Sequence, residues 1–90
     1  MLIKCPSEFT DIYVDNKLYY SNRVVNLSQT NVLGKSISKK EGLPTFYTIR
    51  FSHTKNHSTE WYFTNKGDRD TIYEIIMDRF VKTLITSTLE

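Results

Sequence analysis

Thr45-Phe46-Tyr47-Thr48-Ile49-Arg50-Phe51-Ser52 and Thr59-Glu60-Trp61-Tyr62-Phe63-Thr64 decide the fold of this 90-residue chain. In the first stretch Tyr47, Ile49 and Phe51 alternate with Thr48, Arg50 and Ser52, the period of a half-buried strand. The second repeats it, with Trp61 and Phe63 inward and Glu60 and Tyr62 outward. For both apolar sets to share a face, an odd number of residues must separate the strands. A turn at Lys55-Asn56-His57 meets that condition, pairing Phe51 with Trp61 and Ile49 with Phe63. Arg50 then stands opposite Tyr62 on the outer face, with Glu60 diagonal to it and within ion-pair reach.

Upstream, Phe9 to Val14 and Leu18 to Tyr20 flank Asp15-Asn16-Lys17 and read as a second hairpin, Asn16 taking the positive φ of its turn. A three-residue loop pairs Val14 with Leu18 and Ile12 with Tyr20, gathering four large apolar side chains on one face and leaving Tyr13 and Tyr19 outward. Between the hairpins, residues 23–27 and 31–33 look like strand pieces and Gly34 marks a bend or turn. Lys35 to Lys40 continue as an edge strand whose lysines oppose aggregation, and Glu41-Gly42-Leu43-Pro44 is a turn.

Downstream the periodicity becomes helical. Asn65 or Asp68 can cap, and Asp68, Asp70 and Glu74 sit where the helix dipole favours negative charge. Ile72, Tyr73, Ile76, Met77, Phe80 and Leu84 form the stripe that packs on the sheet. Val81 and Ile85 fall outside it, beside Glu74, Asp78 and Lys82, with Ile75 on the other flank. That off-core strip is either covered by the N-terminal segment or forms a contact with another chain.

The expected fold is therefore α+β: one domain over residues 1–90, an antiparallel sheet of hairpins with about four to six strands, and one C-terminal amphipathic helix. The Trp61-Tyr62-Phe63 strand entering Lys66-Gly67-Asp68-Arg69-Asp70 before the helix gives an element order loosely similar to small bacterial pleckstrin-homology-like domains. In those domains a curved antiparallel sheet is closed by a final helix. Composition agrees with a small globular domain: 39% hydrophobic, 24% charged and 13% aromatic residues, with no alanine. No apolar run is long enough to span a bilayer and the first residues lack the pattern of a signal peptide, so a cytoplasmic location without membrane contact is expected.

Motifs for chemistry are weak. Gly34-Lys35-Ser36 resembles the end of a phosphate loop, but position 29, where that loop needs glycine, is Gln29. His53 and His57, four apart near Glu60, have helical ligand spacing in what reads as a turn, and are expected to be solvated rather than metal-bound. Cys5 is the single cysteine, excluding an internal disulfide, and no histidine lies near it in sequence. No catalytic, cofactor-binding or metal-ligating residue is assigned; no cofactor is expected, and the chain does not read as an enzyme.

Charge is uneven. Residues 17–55 carry net +6, between ends that carry −2 each. Two classes of partner follow. The first is another protein, or a second copy through the helix, contacted by Arg50, Glu60 and Tyr62 on the sheet or by Val81 and Ile85 on the helix. The second is single-stranded nucleic acid, with Lys35, Lys39, Lys40, Arg50 and Lys55 on phosphates and exposed tyrosines under bases. The protein-binding module is the leading reading. The absence of alanine and the abundance of Asn, Ile, Lys and Tyr suggest an AT-rich genome, which suits an accessory or phage-borne protein that modulates a host protein.

Overall fold

The computed structural model describes residues 1–54 and 56–89, with side chains through Ile85. In chain order the strands are β1 (Leu2–Ile3), β2 (Asp11–Val14), β3 (Lys17–Ser21), β4 (Val25–Asn26), β5 (Val32–Ser38), β6 (Phe46–Thr54) and β7 (His57–Phe63). Helix α1 (Lys66–Leu89) follows, and short 3₁₀ turns cover Ser7–Phe9 and Leu27–Gln29. The α+β class stands, with seven strands where four to six were expected. Among the described residues all four pairings are antiparallel, in three sheets: β1–β4, β2–β3 and β5–β6–β7.

The main hairpin keeps the expected faces but not the expected register. Ile49 pairs with Trp61, Tyr47 with Phe63, and Arg50 directly with Glu60, a two-residue shift from the register that put Arg50 opposite Tyr62. The odd residue that parity demands is not in a three-residue turn. It is His53, extra on β6 between the pairs Ser52–Ser58 and Thr54–His57, so His57 already belongs to β7. Lys55 lies outside the described residues.

The first hairpin resolves a similar conflict. Asp15 (φ 50°) and Asn16 (φ 64°) both adopt left-handed backbone, the signature of a two-residue I′ turn, and this pins Val14 to Lys17. The apolar pattern holds Ile12 opposite Tyr20 as expected. The two constraints differ by one residue, and a bulge at Tyr19 absorbs it. Val14–Leu18 is therefore not a pair, and Leu18 is exposed.

Gly34 does not bend the chain. β5 runs through it opposite Arg50, where an added Cβ would touch nothing within 4 Å. Gly42, at φ 80°, makes the expected turn, with the Leu43 N–H donating to the Lys40 carbonyl at 3.1 Å. At the helix start Asn65 is the cap, its Oδ1 accepting from the Asp68 N–H at 3.0 Å.

The core lies between the β5–β6–β7 sheet and α1, built on Ile49, Phe51, Trp61 and Phe63, with Ile76 and Phe80 from the helix and Ile3, Cys5, Val25 and Leu27 closing one side. Phe51 and Trp61 meet edge to face with centroids 4.9 Å apart. Of the expected helical stripe, Ile72, Tyr73 and Met77 are partly buried against this core, but Leu84 is 46% exposed. Phe80 is the last buried residue with a described side chain, so the stripe loses its sheet before Leu84.

The opposite face of the sheet is covered as well. Tyr20 of β3 stacks on Tyr62 of β7 at 3.6 Å with rings 3° from parallel, and Phe46 meets Tyr20 edge-on at 5.4 Å. Asn22, buried just after β3, fixes this hairpin. Its Nδ2 donates to the carbonyls of Phe9 (2.7 Å) and Tyr62 (3.1 Å), and its Oδ1 accepts from the Tyr62 N–H (3.0 Å). Arg69 performs a similar task at the helix start: Nη1 donates to the carbonyls of Ser36 (2.8 Å) and Thr48 (3.1 Å).

Two predictions follow from these buried groups. Asn22→Ala orphans backbone groups of Phe9 and Tyr62 and is expected to cost about 2–3 kcal/mol, measured as a drop in urea midpoint at constant slope. The second concerns alkaline pH. Burial pushes the Cys5 thiol from its ordinary 9.0 up to about 11, a hydrogen bond from Asn22 opposing it. Burial first, then the neighbouring Glu60 carboxylate and Tyr20, push Tyr62 from 10.0 up to about 12. Both folded-state values are raised, so the unfolded chain loses these protons first. Stability is full below the unfolded values and falls as pH rises, from 9.0 through about 11 for Cys5 and from 10.0 through about 12 for Tyr62. Urea titrations across that range are expected to show the decline, with Cys5→Ala flattening its lower part and Tyr62→Phe its upper part.

Candidate functional site

Strand alternation decides which expected site residues meet. Arg50 and Glu60 lie side by side on the outer face of the sheet, on the side of the Tyr62–Tyr20 stack. Tyr62 is thus half-buried under the first hairpin rather than open to a partner. Arg50 is exposed and forms no ion pair among the described residues. It borders an open polar groove of about 430 Å³ lined also by Val32, Ser52, Ser58 and His57.

Among the described residues the basic block is divided between the two faces of the sheet. Lys35 pairs with Ile49 and therefore sits on the helix side of the sheet. There its Nζ is 3.9 Å from an Asp70 oxygen and 5.0 Å from the centre of the Tyr73 ring. A hydrogen bond from Arg69 and the nearby cations hold the Asp70 carboxyl below the usual carboxylate range. Lys39 and Lys40 are exposed beyond the end of β5, five and six residues past Gly34, the partner of Arg50. At about 3.3 Å per residue that separates Arg50 from Lys39 by roughly 17 Å along the strand. Of the five expected phosphate contacts, Lys35 is committed to the opposite face and Lys55 is outside the described residues.

The two histidines sit in different surroundings. His53 Nε2 lies 3.0 Å from the Thr59 hydroxyl, His57 is exposed, and no group of three potential ligands occurs among the described residues. Cys5 is buried against Asn22 and the Phe9 carbonyl, and its raised pKa keeps it a thiol, the poorly nucleophilic form.

The helix gives a clearer surface. Ile3 and Pro6 of the N-terminal segment lie along the Ile72–Ile76 flank of α1, leaving the other flank open. Of the two arrangements open for the off-core strip, coverage by the N-terminal segment is therefore not the one adopted. Val81 is 45% and Ile85 53% exposed, and half-exposed Leu84 joins them at i, i+3, i+4 spacing. Beside them Lys82 Nζ meets Asp78 Oδ2 at 3.0 Å.

Asn22, Arg69 and the flank occupied by Ile3 had not been singled out from the sequence. Each depends on a contact between distant parts of the chain. No helix among the described residues is long and apolar enough to cross a membrane. Comparison with protein families, with characterised proteins and with solved structures finds no match to this chain.

Proposed function

We propose that this chain is a non-enzymatic protein-binding module whose contact element is the part of α1 beyond Phe80. One observation carries the reading: the helix runs to Leu89, nine residues past Phe80, and presents Val81, Leu84 and Ile85 to solvent. An apolar i, i+3, i+4 triplet clear of its own core is the pattern by which a helix seats in a hydrophobic groove of another protein. The occupant is accordingly a partner that supplies an apolar groove. Dispersal of the lysines argues against the nucleic-acid alternative. A cytoplasmic accessory or phage-borne protein that modulates a host protein would act in this way, occupying a host surface without chemistry of its own.

The test places a photo-crosslinking residue at Lys82, beside the triplet, and compares the parent with Val81→Asp/Ile85→Asp in lysate. The expected result is a discrete adduct that a synthetic peptide of residues 77–89 suppresses and the double variant lacks, with both proteins melting within a few degrees of each other. An adduct insensitive to peptide and variant overturns the reading. So does salt-sensitive, micromolar oligonucleotide binding abolished by Lys39→Glu/Lys40→Glu, which would install the nucleic-acid function instead.

A further inference from the structure

A second surface lies where the N-terminal segment crosses the other flank of α1. A cleft of about 230 Å³ opens there, with apolar walls that include Ile3, Pro6, Trp61 and Ile75. Its remaining lining includes two cations, Lys4 and Arg79, and no carboxylate. Neither cation forms an ion pair among the described residues. Ile75 is 49% exposed, while Ile76 beside it in sequence is buried, so an aliphatic surface stays open in a cleft that also holds Lys4 and Arg79. The cleft is smaller than the roughly 300–1,000 Å³ of small-molecule and cofactor pockets, and matches an inserted side chain better than a whole ligand.

We propose that this cleft docks an acidic peptide segment of a partner protein, which inserts one aliphatic side chain against Ile75 and Pro6 and sets its carboxylates on Lys4 and Arg79. Charge complementarity selects that occupant. An apolar wall alone would accept any hydrophobic residue, but two cations with no opposing acid favour a segment that brings its own negative charge and repel a basic one. The cleft lies on a different flank of α1 from Val81 and Ile85, so the assignment stands or falls independently of theirs.

Trp61 supplies the readout, because it is the only tryptophan in the chain and lies buried, 1% exposed, beneath the cleft. Its emission is followed while the intact protein is titrated with a capped peptide carrying one leucine between glutamates, with the same peptide carrying lysines, and with octanoate. The expected result is a saturable change with the glutamate peptide only, weakened on the order of tenfold by Arg79→Glu or by Lys4→Glu and also by high salt. Ile75→Asp, at a half-exposed position, is expected to abolish the change while leaving the melting temperature within a few degrees. Equal affinity in the variants, or no saturable change, overturns the proposal. Binding of octanoate alone does so too, by making the cleft a small-ligand site, as does an emission change that tracks protein concentration without peptide, by making it a contact between copies of this chain.

Discussion

The amide of Asn22 holds the assembly together. β7 is an edge of its sheet, paired with β6 on one side only. On the free side the Tyr62 N–H and carbonyl would be left without strand partners, and the Asn22 side chain accepts from one and donates to the other, as a neighbouring strand would. Its second donor contact, to the Phe9 carbonyl, ties the N-terminal segment to the same point. The rest follows geometrically. Tyr20, two residues before Asn22, lands on Tyr62 and covers the outer face, while Arg23, next in sequence, offers its carbonyl to the Trp61 indole N–H at 2.6 Å. With Cys5 and Phe9 held at this clasp, the N-terminal segment runs along one flank of α1, away from half-exposed Val81 and Ile85.

How much of this was legible depended on the range of the cause. The helix cap is narrowed to Asn65 or Asp68, and the alternation of residues 45–52 and 59–64 and the left-handed Asn16 are local and readable. The registers were not, because each is a compromise between a turn and a pattern that disagree by one residue; the bulges at Tyr19 and His53 settle them. Asn22 and Arg69 look like ordinary surface residues in the sequence. Their partners are backbone groups 40 and 33 residues away, which no window of sequence contains. Leu84 was misplaced for a related reason: helical periodicity reveals a stripe but not how far the sheet beneath it extends.

The same reasoning separates the candidate surfaces. The basic block between residues 17 and 55 is continuous in sequence but divided in the fold, since alternation sends Lys35 to the helix side and Arg50 to the other face. On α1, periodicity already sets Val81 and Ile85 apart from Ile75, and the fold adds Leu84 to the projecting pair and places Ile75 in a cleft with two cations.

The bulge at His53 also bears on how this chain can vary. Strand faces depend on parity, so in a plain hairpin a one-residue change in loop length would turn a whole strand inside out. Here the odd residue is held within β6, next to the turn. Losing it would make Ser52–Ser58 and Thr54–His57 consecutive pairs and leave Ile49, Phe51, Trp61 and Phe63 where they are. The tip of the main hairpin, which borders the polar groove, is therefore free to shorten by a single residue over evolutionary time, while the aromatic core beneath it stays fixed.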